Sequence, residues 1–452
     1  MSIDVELTDL AYGGDAVGRY EGRVLFVPGG IPGERVQVEI VEERRGHARA
    51  ELLEILRPSP ERVELAYPDL AHCGCNWQHI AYPAQLTWKA HIVRGLLVRI
   101  GKQPDAVVHP MIGMPPGISP WHYRNYALFS VGPSGEIGCK LTESHDVQNL
   151  EEYGLFHPAL DQVYQMVRSK LMDYFGDMLG EMIQSFTIRG AIGAVSNTVA
   201  GMVSPTIKAV PTLLIIHARP GSVIENPQHL AQELMSIAPG IVGVIIERVG
   251  GRYGRVFVGQ EFLTDVVLGR RFRVSADSFF QVNPVQTSVL VERALAMLEP
   301  QRSETVLDGY SGVGLFSAFL SSAARVVAVE SQPSAVMDAK AGAVLNNQSN
   351  VVIQEGTLER LLSQFHYRRE RIDVALVDPP RAGCHPKALQ ALQILGPRAI
   401  VYVSCDPSTL ARDIAALCTS GRYQLVAAQP IDMFPQTYHI ECIALLTRMG
   451  AH

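Results

Sequence analysis

From about residue 271 onward the sequence settles into one pattern. Short, uninterrupted apolar runs (ETVLD, RVVAVE, VVIQEG, IDVALVD, AIVYVSC, YQLVAAQ and CIALLTR) alternate with segments of helical character that begin near Leu315, Pro333 and Ser408. A strand that is apolar on both faces needs a layer above it and another below. Strands of this kind alternating with helices therefore predict a mostly parallel sheet covered on both sides, a doubly wound Rossmann-like α/β domain from residue 271 to 452. In such sheets ligands gather beyond the carboxyl ends of the strands, near the point where strand order reverses.

The candidate reactive and ligand-holding groups of this stretch lie at such strand ends. ETVLD runs into Asp308-Gly309-Tyr310-Ser311-Gly312-Val313-Gly314, where paired glycines allow a tight turn and close backbone approach to a ligand. The next strand ends at Glu330, whose carboxylate could accept hydrogen bonds from both hydroxyls of an adenosine ribose or could simply be a surface acid. Asp378-Pro379-Pro380-Arg381 follows the fourth strand, and its prolines stiffen the exit loop. It reads either as an acid aimed into the cleft or as a plain strand-ending turn. The fifth strand ends Ser404-Cys405-Asp406-Pro407, placing a thiol at the cleft mouth before a helix, where the helix terminus is expected to favour thiolate. Alone, Cys405 would read as an inert buried cysteine; its place among the other strand ends makes it a candidate nucleophile. Glu441 opens the last strand beside the same cleft and is the candidate base, with His439 as its competitor.

The remaining sequence implies further domains, since 452 residues exceed one ordinary core. Residues 1–58 alternate apolar and polar positions between Gly and Pro turns, as a small closed β-barrel does, up to a boundary at Pro58-Ser59-Pro60. Gly13-Gly14, Gly18-Arg19 and the Phe26-Val27-Pro28-Gly29 to Pro32-Gly33-Glu34 segment resemble the TRAM domain, an OB-like RNA-holding barrel. Residues 59–270 form a mixed α+β central domain. It has a helix over Ala84 to Gly101, a Gly/Pro-rich loop over Gly113 to Pro120, a hairpin near Tyr123 to Lys140, a helix over Pro158 to Leu179, and buried strands TLLIIHAR and GIVGVIIERV. Composition is that of a soluble protein, 47% hydrophobic and 19% charged, with no signal segment or membrane-length apolar run. A net charge of −6 excludes a protein that coats nucleic acid by bulk electrostatics, while basic clusters at Arg44, Arg45, His47 and Arg49 and at Arg270, Arg271 and Arg273 leave room for a local groove. Seven scattered cysteines predict free thiols in a reducing cytosol.

Residues 1–60 and 270–446 together resemble the RNA uracil-5-methyltransferase family, in its TRAM-bearing ribosomal-RNA branch. The likeness rests on Ser278-Phe279-Phe280-Gln281-Val282-Asn283, the Leu307-Asp308 glycine turn, Asp378-Pro379-Pro380-Arg381-Ala382-Gly383, Val403-Ser404-Cys405-Asp406-Pro407, and Phe434-Pro435-Gln436-Thr437 with Glu441. It implies transfer of a methyl group from S-adenosyl-L-methionine to carbon 5 of uridine, with Gln281, Tyr310, Glu330 and Asp378 contacting the donor, Cys405 as nucleophile and Glu441 as base. Uracil carbon 5 is a weak nucleophile, and thiolate addition at carbon 6 makes it enolate-like. The target must leave its stack first, for which Phe279, Phe280 or Tyr438 could hold it. Implied partners are RNA, ribosomal rather than transfer, with no membrane; a cytoplasmic monomer is expected.

Many members of that family hold a four-iron, four-sulfur cluster on four cysteines. Here only Cys73-Gly74-Cys75 remains, with Tyr67 and Tyr153 at the outer positions, so the iron-sulfur cluster is expected to be absent and no metal is expected. Gly309, Ser311 and Gly356-Thr357 also depart from the family pattern and bear on donor affinity. The alternatives are a tRNA uridine or cytosine-5 methyltransferase, an amino-methylating enzyme needing no thiol, and a non-catalytic RNA-binding protein on the same scaffold.

Overall fold

The computed structural model describes residues 2–141, 144, 146–193, 209–248, 254–321, 323 and 325–450. Strands Ser2–Leu10, Ala16–Tyr20, Arg23–Val27, Arg35–Arg44 and His47–Arg57 close into an N-terminal barrel. Alternate residues point inward, so Val5, Leu7, Leu25, Val27, Val36, Val38, Ala48 and Ala50 are buried. Buried Glu34 fastens the barrel to the connection after its last strand. Its carboxylate accepts from Ile31 N, Ser59 N and, at 2.6 Å, Arg62 Nε.

The central sheet has seven strands in the spatial order Val256–Gly259, Ile241–Arg248, Thr212–Ala218, Ile183–Gly190, Tyr126–Val131, Ile137–Lys140 and Val147–Asn149. Tyr126–Val131 and Ile137–Lys140 form the expected hairpin. Phe129 stacks on Tyr164 at 4.1 Å between ring centroids and lies 5.3 Å from Phe186, joining the sheet to helix Pro158–Phe175. That helix was expected to reach Leu179. It stops at Phe175 because Gly176 turns to a φ of 50°, and the chain continues as short turns to Met182.

The expectation of free thiols fails at one place. Cys73 and Cys139, 66 residues apart, are joined as a disulfide with Cα atoms 5.8 Å apart, because the hairpin strand Ile137–Lys140 lies beside the loop that carries Cys73. Cys75, Cys384, Cys405, Cys418 and Cys442 are free. Tyr67 and Tyr153 bond to His122 and Arg124 respectively, and Tyr67 packs against Trp121 at 4.9 Å and Tyr153 against Phe129 at 5.6 Å.

The C-terminal sheet runs Val351–Glu355, Arg325–Glu330, Thr305–Gly309, Val374–Val377, Ala399–Ser404, Glu441–Arg448, Tyr423–Ile431. Its first five strands are parallel and its last two antiparallel. Helices Pro284–Leu298, Pro333–Leu345, Leu358–Tyr367, Pro386–Leu395 and Pro407–Thr419 accompany it. Strand order reverses between Thr305–Gly309 and Val374–Val377, so a cleft opens at their carboxyl ends. The helix expected from Leu315 is only the turn Ser317–Leu320, because the glycine-rich loop occupies the preceding residues with Gly312 and Gly314 at φ 56° and 87°.

Helix Tyr82–Arg99 ties the parts together. Lys89 and Asp432 are both wholly buried and form an ion pair at 2.6 Å, and Lys89 also donates to Phe434 O. Gln85, on the same face, donates to Gln436 Oε1 and Trp77 O and accepts from Gln436 N. Trp77 reaches the barrel by donating to Gly14 O. One continuous hydrophobic core therefore contains the barrel interior, this helix and one side of the C-terminal sheet.

Candidate active site

The glycine turn is held from below by Glu330. One carboxylate oxygen accepts from Gly312 N at 2.9 Å, and the other from Ser331 N and Gln332 N at the start of helix Pro333–Leu345. Tyr310 adopts a φ of 60°, which costs a non-glycine residue about 1–2 kcal/mol, and its hydroxyl accepts from His385 N. Strain of this kind persists where surrounding structure enforces it, commonly at ligand sites. A side chain on Gly309 would meet Leu358 and Val377 at 3.1 Å, so this chain packs those residues where a bulkier one would stand.

Behind the turn, Asp308 is wholly buried. Its Oδ2 accepts from Ser317 Oγ at 2.5 Å, and its Oδ1 has no hydrogen-bond partner. Burial raises its pKa to about 7 against the Ser317 hydrogen bonds, with a smaller push from Glu330. Asp378, at the next strand end, is raised to about 7 by burial and by Asp308. Its loop is braced from helix Pro407–Thr419. There Arg412 donates to Ala382 O, Thr409 to Arg381 O, and Asp413 accepts from both Cys384 N and Tyr402 Oη.

Cys405 lies one residue beyond Ser404, which pairs with Cys442 across antiparallel strands, so the register sets Cys405 opposite Glu441. The thiol is half-buried. Burial first, then Glu441 and Asp378, push it up to about 12, while Arg381 pulls the other way. The expected thiolate stabilisation by the helix is therefore corrected. Asp406 is the N-cap, and its carboxylate rather than the thiol accepts from Ser408 N and Thr409 N, leaving Cys405 outside the first turn. Glu441 is 2% exposed, and burial, with Asp378 adding and Arg381 opposing, raises it well above the ordinary carboxylate range. His439 is driven down to about 3, by burial and then by Arg381, so it is neutral, and its Nδ1 lies 3.3 Å from Arg381 Nη2, which donates to it.

The segment bearing Gln281 is fastened by Asp338, which accepts from Ser275 N, Ser275 Oγ and Ser278 Oγ, and by Asn283, which donates to Met433 O. Gln281 is 6% exposed, whereas its neighbour Phe279 is 68% exposed. The structure thus gathers Tyr310, Glu330, Asp378, Cys405 and Glu441 at the carboxyl end of one sheet, with the Gln281 segment tied to the loop that leads to Glu441. Sequence reasoning missed Asp308 as a buried acid, Arg381 as the cation between Cys405, Glu441 and His439, and the bracing acids Asp338 and Asp413. The only signal of the three acids was a carboxylate inside a largely apolar stretch, and Arg381 had none beyond its place after the paired prolines. Among the described residues no group of three or more His, Cys, Asp or Glu side chains could hold a metal ion.

Comparison with known proteins adds independent findings. Residues 2–53 match the TRAM domain, and residues 222–449 match the tRNA (Uracil-5-)-methyltransferase model. An uncharacterized RNA methyltransferase of Halalkalibacterium halodurans is 34% identical over 457 residues, covering 98% of this chain and 96% of that one. Another, from Gloeobacter violaceus, is 34% identical over 461 residues, covering 99% and 96%. The solved tRNA (uracil-54, C5)-methyltransferase of Pyrococcus abyssi, in complex with S-adenosyl-L-homocysteine, shares the fold with a TM-score of 0.73 at 22% identity, over 98% of this chain and 100% of that one. With half its length matched by the family model and nearly all of it shared with these relatives, the chain belongs to the tRNA (uracil-5-)-methyltransferase family and carries a TRAM domain at its N-terminus.

Proposed function

We propose that the protein transfers a methyl group from S-adenosyl-L-methionine to carbon 5 of a uridine in structured RNA, ribosomal RNA in preference to transfer RNA, through a covalent bond between Cys405 and carbon 6. The observation that carries this reading is the placement of Cys405 opposite Glu441 at adjoining strand ends, with Asp378 close enough to act on both charges.

The cleft suits a cationic sulfonium donor. Asp308 and Glu441, both buried, and Asp378, partly buried, put three carboxyl groups around it, and a cation is what would allow them to ionise there. Gln281, Tyr310, Glu330 and Asp378 would hold the donor, which supplies the electrophilic methyl group. Cys405 gives up its proton to the Asp378 carboxylate and adds to carbon 6, placing an electron pair on carbon 5 and leaving Glu441 free as a base. Arg381 offsets the negative charge that develops nearby. After methylation Glu441 takes the carbon 5 proton, and the returning electron pair expels the Cys405 thiolate. His439, neutral and bonded to Arg381, orients that guanidinium. The proposed location is the cytoplasm, where RNA is made and folded; no helix among the described residues is long and apolar enough to cross a membrane.

The test is to map 5-methyluridine in total RNA from cells with and without the gene. The expected result is one ribosomal uridine that loses its methyl group on deletion and regains it with the wild-type gene but not with Cys405→Ala. Loss of a transfer-RNA methyl group instead would favour the second reading, which the match of residues 222–449 to the tRNA (Uracil-5-)-methyltransferase model supports. An unchanged map would overturn both.

A further inference from the structure

We propose that Arg189 forms a phosphate-binding subsite for the RNA strand that leads to the target nucleotide. The inference rests on the reading of the protein as an RNA methyltransferase and adds to it a contact on the central sheet, away from the reacting groups.

Arg189 sits next to the end of strand Ile183–Gly190, with its guanidinium over the Tyr126 ring, 4.9 Å from the centroid. The residue is only 8% exposed, and both Nε and Nη1 are buried without a hydrogen-bond partner. Buried guanidinium N–H groups are almost always paired, because an uncompensated buried charge is strongly destabilising. The nearby carboxylates are engaged elsewhere. Asp338 holds Ser275, Ser278 and Arg273, Asp277 pairs with Arg255, and Asp265 accepts from Val266 N. Their charges nonetheless keep the surroundings near neutral, so a free anion would be held weakly and a tethered one, arriving with the rest of the RNA, much better.

Arg189 lines a cleft of about 250 Å³, counted with its solvent-filled mouth, together with Asn125, Tyr126, Asp265 and Phe280. The space in it open to a water-sized sphere is about that of one water molecule, enough for one phosphate oxygen and far less than a base needs. Guanidinium is the side chain best matched to a phosphodiester. The cleft is also tied to the Gln281 segment. Gly190 N donates to Asn125 O, Asn125 N donates to Val282 O, and Phe280 forms a cleft wall while Phe279, one residue before it, stands exposed to solvent beside Gln281. A nucleotide resting on Phe279 would therefore carry a neighbouring phosphate past the mouth.

The experiment compares wild type, Arg189→Met and Arg189→Lys in the full chain. The probe is the transcript in which the mapping experiment locates the wild-type product, and affinity is read by fluorescence anisotropy across a salt series. Arg189→Met is expected to weaken RNA binding about tenfold and to flatten the slope of log affinity against log salt by about 0.7–0.9, the signature of one lost phosphate contact. Arg189→Lys restores the slope. S-adenosyl-L-methionine affinity stays unchanged, and the urea midpoint of the RNA-free Arg189→Met protein is equal to or above wild type, because an unpaired buried charge has gone. The proposal is overturned if affinity and slope match wild type, or if the methionine variant unfolds at lower urea and lysine restores it, which would make Arg189 structural. A wild type that forms 5-methyluridine in no RNA sinks the underlying reading instead, an outcome separable from a fully active wild type whose variant binds equally well.

Discussion

Replacing Asp308 by Asn probes the electrostatic strain that the donor site carries. In the folded protein this carboxyl group, wholly buried with Oδ1 unpartnered, is raised from 3.8 to about 7. A group raised on folding keeps its proton while the unfolded chain has already lost it, so the folded state loses stability as pH climbs from about 4 to about 7. At about 1.4 kcal/mol per tenfold change, the penalty is about 4 kcal/mol near pH 8 and about 2 kcal/mol near pH 5.5. Asparagine keeps the shape and the bond to Ser317 and never ionises, but it turns an unpartnered amide donor towards the Oδ1 side, which costs about 1–2 kcal/mol. Asp308→Asn should therefore stabilise the donor-free protein by about 2–3 kcal/mol near pH 8 and by less than about 1 kcal/mol near pH 5.5. Urea titrations at the two pH values measure the difference directly. Because the Asp308 charge also weakens the acidity of Asp378, the pH dependence of S-adenosyl-L-methionine binding should move to lower pH in the same variant. Equal effects at both pH values, or a larger loss at the higher one, would refute the assignment of a buried, strained carboxylate.

Cys405→Ala should reduce methyl transfer to background while leaving S-adenosyl-L-methionine binding, read by calorimetry, within about twofold of wild type, since the thiol acts on the pyrimidine. Glu441→Gln should accumulate a denaturation-stable protein–RNA adduct, visible as a slower band on a gel, because the carbon 5 proton has no acceptor. The wild-type single-turnover rate should rise from near pH 6 to above 8, since Asp378 must ionise at about 7 and the thiol lies at about 12; Asp378→Asn should remove the lower inflection of that profile. Lys89→Met leaves Asp432 buried without its cation and should cost about 3–5 kcal/mol, of which the double variant Lys89→Met/Asp432→Asn recovers most, as judged by urea unfolding.

The C-terminal sheet was legible because its strands are buried on both faces, so period and apolar continuity report the same thing there. The strand ends at Asp308, Glu330, Asp378 and Cys405 come directly out of that pattern. The central sheet was harder to read. It mixes one parallel pair, Thr212–Ala218 with Ile241–Arg248, into an antiparallel array, and its order depends on pairings between residues far apart in the chain, such as Tyr126–Val131 with Ile183–Gly190. Local pattern also misjudged the helix after the glycine turn, where φ angles at Gly312 and Gly314 prolong the loop. The acidity of Cys405 was misread for a related reason. A thiol before a helix looks favoured in sequence, but only the folded chain reveals that Asp406 takes the terminal N–H groups and that two carboxyl groups crowd the sulfur. Lys89 and Gln85 gave no sign either, since a lysine and a glutamine on a helix ordinarily face water.

The barrel does not hang from the remainder on a string. Tyr12, in the loop between its first two strands, donates to Asp406, the residue next to Cys405, and Trp77 clasps Gly14 with one edge while its own backbone holds Gln436. In the proposed reaction, an RNA held by the barrel would thereby be set at a fixed distance and angle from the thiol. Choice among uridines would then work as a ruler does, through the span between landing point and blade.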